Sequence, residues 1–348
     1  MIYKLTARAN DQPYVWAREL APSSAGASWA LRVNAVWGAL GMTALLFLVR
    51  RYFDWRTAIA TVVSIGICSD WWYQSRGLFS EAGAGAFLIA SLCLMAYEKP
   101  QTSSIALALS IFFRPTNIFA LPIWAIAAWK KPRSAIGPAL IIVVAVGFLL
   151  WFNYIRFGSF LNFGYASERF GGPFLENLWG VLFSPGRSPF VYSPILLLAI
   201  PGAWLLFRKE KILALICVII IAAYLFTVAR VYNWAGGTSW GARLLTPTVP
   251  LFGVLLSPAI DYVWKNKLVA IAAILLGFAG LSVQTVALMR DPMRVMVEHV
   301  GTGEIDNLET IHTVQNSWLA LQIRGLRDWQ PCDTDASILR TWLARCPD

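Results

Sequence analysis

Four short stretches carry the side chains that could do chemistry, and each stands at the end of an apolar run. The first, Asp70-Trp71-Trp72-Tyr73-Gln74-Ser75-Arg76-Gly77-Leu78-Phe79-Ser80-Glu81, sets two carboxylates and a guanidinium within a dozen residues. Ionised groups at such a boundary are costly and are default functional candidates. The plainer reading is an interfacial loop with an aromatic belt in which Arg76 pairs locally. Glu81 is followed by Ala82-Gly83-Ala84-Gly85-Ala86, residues small enough to let another backbone or a lipid chain approach closely. The second stretch, Arg114-Pro115-Thr116-Asn117, interrupts an apolar run. Broken helices at membrane depth are tolerated where they line a cavity or are buried in protein, the alternative being a hairpin turn with a snorkelling Arg. The third is Ser184-Pro185-Gly186-Arg187-Ser188-Pro189, a rigid turn presenting one Arg. The fourth, Tyr232-Asn233-Trp234-Ala235-Gly236-Gly237-Thr238-Ser239-Trp240-Gly241-Ala242-Arg243, is the most specific. Gly236, Gly237 and Gly241 permit an unusual backbone, Trp234 and Trp240 offer faces for a sugar ring, and the Arg243 fork suits phosphate oxygens. Its plainer reading is an interfacial turn with Trp anchors.

The elements that must position these residues are membrane spans. Of 348 residues, 57% are hydrophobic and only 14% charged, against roughly 45–50% and about 25% in soluble domains. Mean hydropathy is +0.58. A disordered chain, a disulfide scaffold and an ordinary soluble enzyme are excluded. Apolar runs lie at 33–49, 57–69, 82–97, 136–153, 194–207, 212–228, 244–260 and 268–288. Region 104–129, broken at Arg114-Pro115, reads as one kinked span or two short ones. Taken as two, one side collects Arg50, Arg51, Arg56, Lys99, Lys130, Lys131, Arg133, Arg208, Lys209, Lys211, Lys265 and Lys267 against Asp54, Glu98, Glu210 and Asp261. The positive-inside bias then predicts two short helices, about ten spans, and a cytoplasmic location for this side. The +10 net charge is therefore topology and not a nucleic-acid footprint.

The opposite, extracytoplasmic side takes segment 1–29, outer loops 70–81, 154–193 and 229–243 of a transmembrane domain spanning 30–289, and a C-terminal segment 290–348. Loop 154–193 holds eleven aromatics and few charges, which predicts a segment in the headgroup plane, where a lipid-linked substrate would slide in. Residues 1–29 lack a signal-peptide apolar core. So long an N-terminus is seldom exported ahead of a first span, which predicts a further span upstream. Cys68, Cys93 and Cys217 fall in spans. Cys332 and Cys346 in the tail form a bridge only if the chain folds back at one end of a short helix predicted over 335–345; otherwise they are free thiols or link chains. No Cys/His cluster predicts zinc, His299 and His312 read as surface residues, and no nucleotide-binding glycine motif is present. The sequence assigns no cofactor and leaves a divalent metal open.

The run Trp234 to Pro247 resembles the membrane-embedded glycosyltransferases of the GT-C superfamily, related to the protein mannosyltransferase and lipid A aminoarabinose transferase group. It is similar to the bacterial stretch GG-x-S-W-G-P-R-x-L-x-P, with Ala242 in place of the Pro. Asn153-Tyr154, Phe163-Gly164-Tyr165, Phe183 to Arg187, Tyr192-Ser193-Pro194, Tyr73 to Glu81 and Arg114-Pro115-Thr116 are similar to the same branch, in order, over about 30–290. The resemblance implies an all-α polytopic bundle in a bacterial inner membrane with an extracytoplasmic active face. It implies a polyprenyl-phosphate-linked sugar as donor and inverting transfer to a glycan, lipid or protein acceptor. A carboxylate takes the acceptor's proton, and cationic side chains stabilise the leaving phosphate. It carries Glu81 and Asp70 over as catalytic candidates, and Arg243, Arg187, Arg76 and Arg114, with Trp234, Trp240, Gly236 and Gly237, as the substrate and phosphate site. The family's first span and acidic loop should precede about residue 12. Asp11 does not match them, so the base lies upstream, is replaced by another residue, or is missing.

Two other classes compete: a non-catalytic or truncated relative that binds lipid or a partner, and a transporter or flippase. Secondary transporters show internal repeats and ionisable residues at the midplane. Here no repeat is visible and the acidic residues sit at span ends, which favours the enzyme.

Overall fold

The structure, a computed structural model, describes residues 25–328 apart from 78, 124–134, 165–169, 238, 290–291, 293–298 and 301–304, with side chains from residue 33 onward except that of 307. The fold is all-α. The longer helices are α1 (Ala25–Tyr52), α2 (Trp55–Cys68), α3 (Glu81–Ala96), α4 (Pro100–Phe113), α5 (Ile136–Phe157), α6 (Phe174–Phe183), α7 (Ala199–Lys209), α8 (Lys211–Ala229), α9 (Val249–Val263), α10 (Lys267–Met289) and α11 (Trp318–Gly325). Among the described residues, β-type pairing is limited to one bridge, Phe170 with Val231.

Every apolar run predicted as a span falls on helix. Five helical stretches are long and apolar enough to cross a bilayer: Val33–Tyr52, Ile136–Phe157, Lys211–Ala229, Arg243–Val263 and Lys267–Met289. Helices α2, α3, α4 and α6 are apolar but shorter. The chain is a multi-pass membrane protein on this composition. In region 104–129, α4 ends at Phe113, Arg114 is extended, and a 3₁₀ helix runs Pro115–Ala120. The rest of that region from 124 onward lies outside the described residues, as do segment 1–24 and the tail from 329 with both of its cysteines.

Burial follows composition. Helix α3 is apolar around its whole circumference and sits at the centre, packed on α1, α4 and the 3₁₀ helix Arg243–Thr248. The small-residue run serves this packing. A Cβ on Gly83 would meet the Phe113 ring at 2.4 Å, and one on Gly85 would meet the Pro247 backbone at 3.1 Å. A ring and a backbone fill the space that the sequence also left open to a lipid chain. Helices α5 and α10 are peripheral. Ile136, Val143, Phe148, Leu268, Ile274 and Phe278 are all exposed, as expected where acyl chains replace water.

Candidate functional site

The four stretches converge at one end of the bundle. Glu81 opens α3, where the helix N-terminus favours negative charge. Its Oε1 accepts from Arg114 Nη1 at 2.6 Å, and Arg243 Nε stands 3.5 Å from the same oxygen. Two guanidinium groups against one carboxylate leave this cluster with one net positive charge. Glu81 is 4% exposed, and among the described residues its Oε2 has no hydrogen-bond partner. Arg243 also lies over the Phe79 ring at 4.2 Å. The loop carrying Phe79 is held by α1, because Asn34 Nδ2 donates to the carbonyls of Gly77 and Phe79.

The break after α4 is buried and polar. Asn117 is fully buried, donates to Ser110, and accepts from the Tyr224 hydroxyl of α8. Ser110 Oγ donates to the Ala84 carbonyl at 2.7 Å, and Thr116 Oγ1 contacts Tyr224 Oη at 3.2 Å. Arg114, Pro115 and Thr116 form part of the wall of a cavity of about 1820 Å³ between α4, α5, α6 and α8. The remaining wall is mostly apolar and includes Phe119, Leu149, Phe163, Phe174, Leu178 and Phe226. The broken helix therefore does both things that membrane depth tolerates. It is enclosed by protein and it lines a cavity.

The glycine-rich stretch is a turn in left-handed backbone, with φ of +72° at Gly236, +67° at Gly237 and +61° at Gly241. Arg187 holds it. Its Nη1 donates to the Ser239 carbonyl and its Nη2 to the Gly237 carbonyl, and its guanidinium lies 5.5 Å from the Trp318 ring. Arg187 is 2% exposed, and burial lowers its guanidinium to about 10. The turn before it is docked by the C-terminal segment. Gly186 N–H donates to Ile311 O at 3.1 Å, and a Cβ on Gly186 would lie 2.0 Å from Thr310 O. Expected to meet phosphate, Arg187 instead turns both terminal nitrogens to loop carbonyls, while Nε has no partner among the described residues. Trp240 departs from expectation through burial of its ring. It is fully buried against Tyr192, ring centroids 4.8 Å apart, and its carbonyl accepts from Gln74 Nε2 at 2.8 Å, so no ring face is open to a sugar. Trp234 is half-buried between Gly180 and His312.

Asp70 does not join the Glu81 cluster. It is 1% exposed, its N–H donates to Ser193 Oγ at 2.8 Å, and Ser193 Oγ is 3.3 Å from Asp70 Oδ1. Burial pushes its carboxyl up to about 7, with the Ser193 hydrogen bond opposing. Arg76 is half-buried in the same loop and is not part of the cavity wall. Among the described residues, no group of three or more His, Cys, Asp or Glu comes together that could hold a metal. Sequence reasoning missed Arg230 and Thr227 of the cavity wall. For Arg230 the available signal was a lone Arg closing an apolar span just before the glycine-rich stretch.

The described residues form a multi-pass helical bundle with a break after α4, a buried Glu–Arg cluster and an apolar cavity beside it, the arrangement of a polytopic membrane protein. A known structure shares this fold. The structure of ArnT from Cupriavidus metallidurans bound to undecaprenyl phosphate is similar over 87% of this chain and 64% of that chain, at 14% sequence identity and a TM-score of 0.50. The same protein in the apo state gives 16% identity over 85% of this chain and 60% of that one, with a TM-score of 0.49. The chain thus spans less than two thirds of the length of ArnT, and at this identity the likeness shows the fold. No protein-family model and no curated protein matches the sequence.

Proposed function

We propose that the chain is an integral membrane glycosyltransferase that moves a sugar from a polyprenyl-phosphate carrier to an extracytoplasmic glycan, lipid or protein acceptor, with inversion. The observation that carries this reading is the cavity of about 1820 Å³, walled by apolar side chains, one of whose wall residues, Arg114, is ion-paired to Glu81 with Arg243 beside it. A long isoprenoid chain needs such an apolar space, and a phosphate needs a net positive cluster at its head. In the reaction the acceptor hydroxyl oxygen attacks the anomeric carbon. The bond from that carbon to the phosphate oxygen breaks with its electron pair on the phosphate, and the acceptor proton passes to a carboxylate. In this reading the buried Glu81 Oε2, which has no hydrogen-bond partner among the described residues, takes the proton once the site opens to the acceptor, while Oε1 keeps Arg114 and Arg243 in place for the charge that grows on the leaving phosphate.

A second reading, a relative that binds carrier lipid without transfer, draws on the enclosure of Asp70 by Ser193 and on the engagement of Glu81 Oε1 by two arginines. One experiment separates the two. Purified full chain is titrated with a long-chain polyprenyl phosphate, and a polyprenyl-phosphate sugar is offered with envelope extract as acceptor. Ala222→Trp and Ala223→Trp, which fill the cavity wall, are expected to weaken lipid binding at least 10-fold. Unchanged binding in both filled variants rejects the cavity as the carrier site. Binding without sugar movement selects the second reading.

A further inference from the structure

Arg230 ends α8 and forms part of the cavity wall together with Arg114. Its backbone is pinned. The N–H groups of Gly171 and Gly172 donate to the Arg230 carbonyl at 2.9 and 3.0 Å. On either side of it, Asn177 Nδ2 donates to the carbonyls of Ala229 at 3.0 Å and Val231 at 3.1 Å. These bonds satisfy carbonyls that a helix end leaves without intrahelical partners. They also explain the glycines. Gly171 has φ +115°, and a Cβ on Gly172 would lie 2.7 Å from Asn177 Nδ2 and 3.1 Å from Val231 O. The side chain is treated in the opposite way. Arg230 is exposed, lies 6.0 Å from the ring centroids of both Phe174 and Phe226, and makes no side-chain hydrogen bond or ion pair among the described residues. The protein holds the Cα with four hydrogen bonds to the helix end and leaves the guanidinium to the cavity.

We propose that Arg230 is the second cation for the carrier phosphate, reaching it from the α8 wall while Arg114 reaches it from the break after α4. This rests on the carrier-lipid reading of the cavity. The chemistry asks for a second cation at this point in the reaction. The sugar-bearing carrier is a phosphodiester with one negative charge. When the bond to the anomeric carbon breaks, the phosphate becomes a monoester carrying about −1.5 to −2. The cluster of Glu81, Arg114 and Arg243 supplies one net positive charge, which matches the diester; Arg230 supplies the one that matches the leaving group. Arg187 has both terminal nitrogens on backbone carbonyls.

The test compares a long-chain polyprenyl phosphate with the corresponding polyprenol on purified full chain in detergent, for the native protein, Arg230→Ala and Arg230→Lys. The native protein is expected to prefer the phosphate. Arg230→Ala should lose about 10- to 150-fold of affinity for the phosphate, with little change for the alcohol, and Arg230→Lys should recover part. An Arg230→Ala variant that keeps the full preference overturns the proposal and leaves the carrier reading standing. So does equal weakening toward phosphate and alcohol, which would mean that Arg230 only shapes the mouth. A native protein with no preference overturns the carrier reading and this proposal with it. Phosphatidylglycerol vesicles are added as competitor. Competition with the native protein as strong as that of the polyprenyl phosphate, lost in Arg230→Ala, would assign Arg230 to bilayer headgroups and reject the carrier assignment.

Discussion

The two ends of the bundle handle charge in opposite ways. At the end where α2 begins and α9 closes, charges are numerous and outward. Lys265 and Asp261 pair at 2.9 Å with side chains 63% and 30% exposed. Lys209 reaches the Tyr52 carbonyl at 2.8 Å, and Arg51 lies over Tyr97 at 5.2 Å. At the other end the Glu81 cluster is enclosed, with the side chains of Glu81 and Arg114 5% and 8% exposed. Sequence counts put twelve basic residues on the first end, yet the site lies at the second. Charged groups in contact with water or headgroups cost little and say little about function. A guanidinium and a carboxylate taken out of water persist only where the surroundings compensate them, and here the compensation is beside a cavity.

The largest expected effect tests whether the two ends face different compartments. With Cys332 and Cys346 replaced, the remaining Cys68, Cys93 and Cys217 are buried. A membrane-impermeant thiol reagent applied from outside should then label a cysteine placed at Ser167 and leave one placed at Ser134 untouched. The reverse pattern would put the Glu81 cluster on the cytoplasmic side and remove the rationale for an extracytoplasmic acceptor.

Next in size is the Glu81 cluster itself. Glu81→Ala strips the carboxylate from two arginines, one of them almost fully buried, and breaking such a pair from one side costs about 3–5 kcal/mol. The thermal midpoint in detergent should drop accordingly. Glu81→Gln keeps the shape and one acceptor oxygen, so it should fold better than the Ala variant while transfer falls by about 10²–10⁴-fold, the usual worth of general-base assistance. Transfer in Glu81→Gln at the native rate would leave Glu81 as an organiser of Arg114 and Arg243 only.

How much of this was legible beforehand depends on the range of the interaction. Span positions were readable because a helix in lipid must be apolar along its own length, a property of adjacent residues. The candidates Glu81, Arg114 and Arg243 were readable as ionised groups at span ends. That they meet was not, since Glu81 and Arg114 are 33 residues apart and come together only through the packing of α3 on α4. Arg187 shows the limit best. Its type and its turn suit phosphate, but its partners lie 52 and 50 residues onward, so nothing local separates a phosphate fork from a latch on a glycine turn. Arg230 was passed over for the converse reason. Its significance comes from Gly171, Gly172 and Asn177, which fix it from a different loop.

A smaller effect distinguishes the enclosed end by pH. Asp70 has its carboxyl pushed up to about 7 by burial, while the unfolded chain ionises near 4. Between these values the folded state holds a proton that the unfolded state has released. Asp70's contribution is therefore full below pH 4 and is lost as pH rises through 7. Between pH 6 and pH 8 this amounts to a loss on the order of 1 kcal/mol. Midpoints of the native protein should fall over that interval, and Asp70→Asn, which retains an oxygen for the Ser193 hydroxyl, should flatten the dependence. A slope that persists in the Asn variant assigns it elsewhere.

The smallest effect is expected at the open end, and it is the control that gives the others meaning. Lys265 is raised by its hydrogen bond to Asp261 and by that residue's charge, the same chemistry as Glu81 with Arg114. The geometry is nearly as short, 2.9 Å against 2.6 Å. If distance decided strength, the two pairs would matter alike. Exposure decides instead: an exposed pair four residues apart, Asp261 in the last turn of α9 and Lys265 just past its end, is screened by salt and opposed by side-chain entropy. Lys265→Ala should leave the thermal midpoint within error at moderate ionic strength and leave carrier-lipid affinity unchanged. Any deficit it shows should vanish on adding salt, whereas the Glu81→Ala deficit should persist. A salt-resistant loss in Lys265→Ala would mean that the basic end is also built on enclosed charge, and the contrast between the two ends would fail.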